Sequence, residues 1–572
     1  MLGITSKSRN FVPNINPLLY WTDSYKISHV KFETEGVKEI YSNFTPRFDK
    51  YLREMLGSYY DGKYVVFGVQ WAMLRLHHMM NKGFFERPKA EVIAEMKAVL
   101  GPYIGQDKYD HFEKLHDLGY LPVKIKALDE GTVAPVGVPF LTIRNTHPDF
   151  EWLPNYLETG ISTDLWKQLT VATVARIYRM ISNDYALKTT GSIEGTEWQN
   201  HDFHSRGASG FESCGISGAA FLTASCGTDN LAALWVAENF YGSTNENGLL
   251  AGSVPAGEHS VTTSGILTQQ MRAERDPKCP DMIGKEEAEF GYAQKIMEER
   301  FPSGIVSYVA DSYDYWTFID SILPQLSKSV EARDGKFVVR GDSGNPVHVI
   351  AGYRFVTVNA ASTEELHRKA TEAFHSGKEV IRNYVDGKYH KILTEGTFPI
   401  ALKEITEAEA LGTIAYLHAT FGGTTNDKGY IVLNPKVGMI YGDGITVQRS
   451  EEILKRLEEN GFASTNIVFG VGSYSLNMLS RDHLGMAIKA TNTIVDIHGE
   501  LVDMPIYKDP KTDSSKKSAK GLIKVYEADG EIGFIDECTR QQEGEGLLTT
   551  VYEDGVIEKL TTIFEIRDRI WK

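Results

Sequence analysis

Between Asp164 and Gly191 the apolar residues Val171, Val174, Tyr178, Ile181 and Tyr185 fall three or four positions apart. That spacing lines one face of an α-helix, and Gly191 stands where a left-handed glycine stops one. From about residue 196 the pattern changes to short apolar runs that end abruptly in Gly, Asp, Ser or Arg. "GIVSYVADSYD" ends at Asp311 and "KFVVRGDSGNP" at Arg340 and Asp342; "KVGMIYGDG" ends at Gly442 and Asp443, and "NIVFGVGSYS" at Gly470 and Gly472. Between the last two, "SEEILKRLEENG" predicts a helix with Ser450 as N-cap, Glu451 and Glu452 in its first turn and Gly461 as its stop. Runs apolar on both faces that alternate with helices predict a parallel α/β sheet or barrel. In such folds function gathers at the carboxyl ends of the strands, where these polar clusters lie. Nearer the C-terminus, "GLIKVYEADGEIGFIDE" and "LLTTVYEDGVIEKL" predict hairpins turning at Asp529-Gly530 and Asp554-Gly555.

Length and composition narrow the classes. A chain of 572 residues, 42% hydrophobic and 24% charged, is globular and too long for one simple core. A net charge of −16 with no long basic stripe argues against a nucleic-acid partner. The cysteines, Cys214, Cys226, Cys279 and Cys538, form no CxxC pair and no disulfide framework, which fits a reduced, cytoplasmic setting. "MLGITSKSRNFVPNINPLLYWTDSYK" lacks the apolar core of a signal segment. The most apolar later stretch, "GISGAAFLTASCGTDNLAALWVA", is broken by Thr, Ser, Asn and Asp, so no membrane is expected.

The strand ends carry the candidate chemistry. "GDG" and "GVGS" offer backbone N–H groups that phosphate oxygens can approach closely, though tight β–α turns use the same glycines. Asp311, Asp342 and Asp443 suit sugar hydroxyls or Mg²⁺, and equally suit helix N-caps. "RGD" at 340–342 closes a buried-looking strand, which excludes an adhesion motif. Arg340, Arg481 and the lysines at 489, 508, 516, 517 and 520 supply cations for phosphate, or simply a solvated surface. Phe203 and Tyr25 are aromatic enough to sandwich a flat ring, or to fill a core. The sum is phosphate, sugar and a planar base. His259, behind Glu258 in the small-residue run "AGSVPAGEHSVTTSG", reads on its own either as a core histidine or as a functional one.

Taken in order, "TDSYK" at 22–26, "IYSNF" at 40–44, "HDFHSRG" at 201–207, "GTDN" at 227–230 and "SVPAGEHS" at 253–260 resemble one family, the nicotinamide- and nicotinate-specific type II phosphoribosyltransferases. "DSYD" at 311–314, "RGDSGNP" at 340–346, "GDG" at 442–444, "FGVGS" at 469–473, "SRD" at 480–482 and "KDP" at 508–510 extend the likeness over nearly the whole chain. The resemblance implies a (β/α) barrel-like domain at 196–481 and an α+β domain built from both chain ends, 1–195 and 482–572. It also implies a homodimer with interfacial active sites. The reaction implied is nicotinamide plus phosphoribosyl pyrophosphate giving nicotinamide mononucleotide and pyrophosphate, within NAD salvage.

By the same resemblance the nicotinamide ring stacks between Phe203 and Tyr25 of the partner subunit, with Asp23, Arg206, Asp229 and Ser307 beside it. Asp229 accepts from the carboxamide. Asp311, Arg340 and Asp342 hold ribose hydroxyls, and the two aspartates also serve Mg²⁺. Gly442, Asp443, Gly472 and Ser473 cradle the 5′-phosphate, while Arg47, Arg481, Lys489, Lys508 and Lys516 serve phosphate, pyrophosphate and ATP. His259 is the residue that ATP phosphorylates, with Glu258 orienting its other ring nitrogen. Imidazole suits that role as a neutral nucleophile near neutral pH. Two features depart from the family pattern. An extra segment at roughly 347–404 contains the helix-like "STEELHRKATEAFHSGKEVIRN", and Val471 and Ser473 stand where a small polar residue and a glycine are usual. The competing readings are a nicotinate phosphoribosyltransferase and a non-catalytic nucleotide-binding homologue.

Overall fold

The computed structural model describes residues 15–275, 283–509, 511 and 518–572. The helical stripe forms as the pattern demands. Its helix runs Glu158–Thr189 and buries Val171, Val174, Tyr178, Ile181 and Tyr185. Gly191, at φ +78°, ends it by donating to the Ala186 and Leu187 carbonyls.

The four apolar runs become Val306–Val309, Phe337–Gly341, Val437–Tyr441 and Ile467–Val471. They join Asn200–Asp202 and Gly227–Thr228 in a six-stranded sheet in which every pairing is parallel. One edge strand is Gly227–Thr228 and the other is Val306–Val309. Segment 252–257 spans the gap between them through single parallel bridges, Gly227 to Gly252 and Ala256 to Ser307. The "SVPAGEHS" stretch therefore closes a curled, barrel-like sheet and delivers His259 to its rim.

A seven-stranded antiparallel sheet combines both ends of the chain. Glu500–Pro505, Ala487–Ile497, Val37–Thr45, Leu141–Asn145, Val123–Ala127, Thr549–Glu553 and Val556–Ile557 lie side by side in that order. Both predicted hairpins form with two-residue turns. Asp529-Gly530 and Asp554-Gly555 all have positive φ, as turns matched to the strand twist require.

The helix before Ile467–Val471 begins a turn earlier than its acidic residues suggest. It spans Val447–Glu459, and Thr446, not Ser450, caps it by accepting from the Arg449 N–H. Ser450 is buried inside the helix and donates to the Val447 carbonyl. Val447 is itself buried, so the apolar stripe starts there.

The extra segment is a small unit of its own. Four strands, Phe355–Val358, Val380–Asn383, Tyr389–Glu395 and Phe398–Ile405, form one sheet in sequence order, and the predicted helix is Thr363–His375. The chain enters at Gly352 and leaves at Gly412, both with positive φ. A Cβ on Gly412 would come within 2.2 Å of the Gly352 nitrogen, so the neck admits glycine alone at this approach. Among the described residues no helix is long and apolar enough to cross a membrane.

Candidate active site

The polar clusters meet at the carboxyl rim of the parallel sheet. Phe203 leaves its strand by donating its N–H to the Val471 carbonyl, 2.9 Å away. Its ring lies on the backbone of the neighbouring strand ends. A Cβ at Gly470 would stand 2.4 Å from the ring and one at Gly442 3.3 Å. Glycine at 470 is therefore a seat for the aromatic ring. The Arg340 guanidinium lies over the same ring at 5.4 Å, and Asp342 holds it through two hydrogen bonds of 3.1 and 2.6 Å.

Asp342 is tied to Asp311, whose Oδ2 accepts the Asp342 N–H at 3.1 Å. The other oxygen, Oδ1, lies 2.9 Å from Nε2 of His259. His259 is the first residue of the helix His259–Glu274, and its side chain is 48% exposed, against 3% for that of Asp311. The carboxylate that orients the histidine is thus Asp311. Glu258, expected in that role, instead accepts the Ser260 hydroxyl. The reason is positional: Glu258 is the residue before the helix, with an extended backbone, and Asp311 comes from the adjacent strand end.

Asp229 follows Gly227–Thr228 and receives His201 Nε2 at 2.9 Å and the Ser253 hydroxyl, both on Oδ1. Among the described residues no donor reaches its Oδ2. Burial pushes the Asp229 pKa up, but the His201 and Ser253 hydrogen bonds and the charge of Arg340 outweigh burial and hold it below the usual aspartate value. Ser307 is buried, and its hydroxyl has no partner among the described residues. An unpaired buried hydroxyl costs about 1–3 kcal/mol, which a ligand polar group would relieve. Arg206 is exposed in the short turn Ser205–Gly207 that follows.

Two glycine turns complete the rim. Gly442 and Asp443 precede Gly444 at φ +63°, and Asp443 is exposed. Gly472 faces open space: a Cβ added there would meet no atom within 4 Å. The Ser473 hydroxyl turns back to the His204 carbonyl at 3.0 Å, leaving backbone N–H groups as the donors of that turn. The long helix fixes both turns: Tyr178 donates to the Ile445 carbonyl and bonds the Ser475 hydroxyl.

The cations fall in a second group. Lys489 lies 3.6 Å from Glu158, which also binds the buried Lys26 at 2.7 Å. Burial lowers the Lys489 pKa, Glu158 opposes that, and the charges of Arg47 and Lys26 lower it further. Arg47 donates to the Gly485 carbonyl at 2.8 Å. Arg481 and Lys508 are exposed, and Lys516 lies outside the described residues. Tyr25, 57% exposed, packs on His29 and Lys26 and makes no contact with Phe203 of its own chain. The neighbouring Asp23 accepts from Thr159 at 2.6 Å.

Several functional supports carry weaker sequence signals. Asp202, wholly buried, accepts from the His204 backbone and ring and from Thr228 and Asn230, so it knots the Phe203 turn to the Asp229 turn. It is a strand-end aspartate, like Asp311, Asp342 and Asp443, and the same signal marks it. Glu158, Lys26 and Tyr178 have no such marker, because their roles depend on which strand end the long helix crosses. Among the described residues no three His, Cys, Asp or Glu side chains converge as a metal site. Asp311 and Asp342 are the neighbouring carboxylates of this rim, and their oxygens are engaged by His259, by the Asp342 N–H and by Arg340.

The sequence model of the nicotinate phosphoribosyltransferase (NAPRTase) family matches residues 198–556. A protein of Acinetobacter baylyi named nicotinamide phosphoribosyltransferase is 38% identical over 566 residues, spanning 97% of each chain. Proteins of the same name from Mycoplasma pneumoniae and Xanthomonas campestris are 33% identical over 73% of this chain and 75% of theirs, and 29% identical over 97% and 98%. The matched span takes in the whole parallel sheet and every strand-end turn described above, and by that span the chain belongs to the NAPRTase family.

Proposed function

We propose that this protein is a nicotinamide phosphoribosyltransferase, joining nicotinamide to phosphoribosyl pyrophosphate to make nicotinamide mononucleotide and pyrophosphate. Asp229 carries the choice of base. A carboxylate held ionised, with Oδ2 free to accept, suits a carboxamide N–H and repels the carboxylate of nicotinate. The names of the relatives point the same way.

Phe203 seats the pyridine ring, and Tyr25 of the partner subunit covers it in a homodimer. The ring nitrogen attacks C1 of the ribose as the C1–O bond breaks, its electrons leaving with pyrophosphate, through an oxocarbenium-like transition state. Arg340, Asp342 and Asp311 hold the ribose hydroxyls, so catalysis is mostly positioning and charge stabilisation. Magnesium, arriving with the substrate phosphates, neutralises the departing charge when bound, and Asp311 and Asp342 would hold it. Arg47, Arg481, Lys489, Lys508 and Lys516 would meet pyrophosphate and ATP.

His259 is the group that couples ATP. With Asp311 accepting from Nε2–H, the lone pair lies on Nδ1, so Nδ1 attacks the terminal phosphorus and ADP departs. The resulting phosphoramidate drives the transfer forward when it hydrolyses. Free thiols at Cys214, Cys226 and Cys538 support a reducing, cytoplasmic setting.

The test is product formation from phosphoribosyl pyrophosphate and Mg²⁺ with nicotinamide and nicotinate offered in parallel, with and without ATP. Mononucleotide from nicotinamide, raised by ATP and with the rise abolished in His259→Ala, is the expected result. Preference for nicotinate would assign the sister activity, and turnover of neither base would leave a nucleotide-binding homologue.

A further inference from the structure

Lys167, on the long helix, is a cation without a counter-charge. Its ammonium donates to the Ser213 hydroxyl and to Oδ1 of Asn477, each at 2.9 Å. Both partners are neutral, and among the described residues no carboxylate pairs with it. The two most buried lysines differ in this respect: Lys26 has Glu158 and Lys126 has Glu543, each at 2.7 Å. Ser213 stands in the first turn of the helix Phe211–Phe221, the positive end of its dipole. An ammonium taken out of water beside that end is electrostatically incomplete. Burial accordingly holds the Lys167 pKa below the ordinary lysine value, with Cys214 opposing the shift.

The missing negative charge has a place to bind. Asn477 and Ser473 both donate to the His204 carbonyl at 3.0 Å, and the Asn477 N–H bonds the Ser473 carbonyl at 2.8 Å. Lys167 thus braces, through Asn477, the turn that begins at Gly472. Gly207 packs against the same turn so closely that a Cβ would stand 2.2 Å from the Ser473 hydroxyl oxygen. On the reading proposed above, this turn takes the 5′-phosphate.

We propose that Lys167 supplies the balancing positive charge for the 5′-phosphate of phosphoribosyl pyrophosphate and of the mononucleotide, acting as a positioning residue through Asn477. The inference rests on the phosphoribosyltransferase reading and adds to it a residue of the long helix.

The experiment uses the full chain with Lys167→Met, and Lys167→Gln as a second neutral variant should the first fail to fold. Melting temperatures are read alone and with phosphoribosyl pyrophosphate, nicotinamide mononucleotide or nicotinamide riboside, the last lacking the 5′-phosphate, and KM is measured for both substrates. Removing a half-buried charge that has no paired carboxylate should leave the ligand-free protein at least as stable as wild type. The shifts produced by the two phosphorylated ligands should shrink, with KM for phosphoribosyl pyrophosphate rising about tenfold or more. The riboside shift and KM for nicotinamide should stay put. A lower ligand-free melting temperature with undiminished shifts would make Lys167 merely structural and overturn the inference. No shift of the wild-type protein by either phosphorylated ligand would instead remove the reading beneath it.

Discussion

On the proposed reading Asp229 selects its ligand through charge, and the sign of its pKa shift sets a pH window. Because hydrogen bonds from His201 and Ser253 hold its pKa below the ordinary value against burial, it stays ionised as pH falls toward the usual aspartate range. Nicotinamide binding through the ionised form is present above the folded-state pKa and lost below it. KM for nicotinamide is therefore expected to be flat from about pH 8 to about pH 5. A rise beginning inside that window would assign base recognition to another group. Asp229→Ser should erase about tenfold or more of the discrimination between nicotinamide and nicotinate, read as the ratio of kcat/KM values; an unchanged ratio rules Asp229 out as the selector. Gly470 offers a steric counterpart. Its added Cβ would meet the Phe203 ring at 2.4 Å, so Gly470→Ala must move the ring. Such overpacking costs about 1–3 kcal/mol, and because the same Cβ would stand 2.7 Å from the Gly442 Cα, KM should rise for phosphoribosyl pyrophosphate as well as for nicotinamide. An unchanged KM for nicotinamide would mean that Phe203 does not seat the base.

The inserted unit shows how one element is fastened to another. Glu379, at the start of its second strand, accepts from His348 at 2.8 Å, from the Arg354 N–H at 2.9 Å and from Arg456 at 3.0 Å. His348 and Arg456 belong to helices of the barrel side, Pro346–Ala351 and Val447–Glu459. Burial pushes the Glu379 pKa up, but these donors prevail and bring it from 4.5 to about 2. A depressed carboxylate pKa contributes stability that is complete above about pH 4.5 and disappears as pH falls toward 2. Glu379→Gln should cost about 1–3 kcal/mol at neutral pH, and the gap from wild type should narrow through that acid window in denaturant melts. A gap that ignores pH would deny the carboxylate this role. Very little of this is legible from the chain. The helix of the insertion announces itself by pattern, yet its four strands do not, since three of them are mostly half-buried or exposed and so carry no clear buried-strand pattern. The four barrel strands are legible because their burial writes itself as short runs rich in Val, Ile, Tyr and Phe. The Thr446 cap is hidden because the acidic pair at 451–452 imitates a first turn. At the site, the strand-end aspartates and glycines can be read one by one, whereas the Asp311–His259 bond joins residues 52 positions apart and follows from the sheet order alone.

At the scale of the whole molecule, the separation of Tyr25 from Phe203 within one chain becomes a prediction about assembly. Phe203 is held by the strand ends of the barrel sheet, while Tyr25 projects from the short turn Ser24–Ser28 with more than half its surface exposed. A nucleotide base needs cover on both faces, and a single chain provides one. If the second face comes from a partner subunit, Tyr25→Ala and Phe203→Ala are each nearly inactive, yet they complement one another. Co-expressed in equal amounts, they assemble half of all dimers as mixed pairs. Each mixed dimer then has one site with both aromatic residues and one with neither, so about a quarter of wild-type activity should return. Activity that stays at the sum of the two single variants would place both rings within one chain. The dimer itself, measured by sedimentation, separates that outcome from a failure of the subunits to mix. Recovery would also explain why a tyrosine more than half exposed stands in "TDSYK": its open ring surface is covered only when two chains meet.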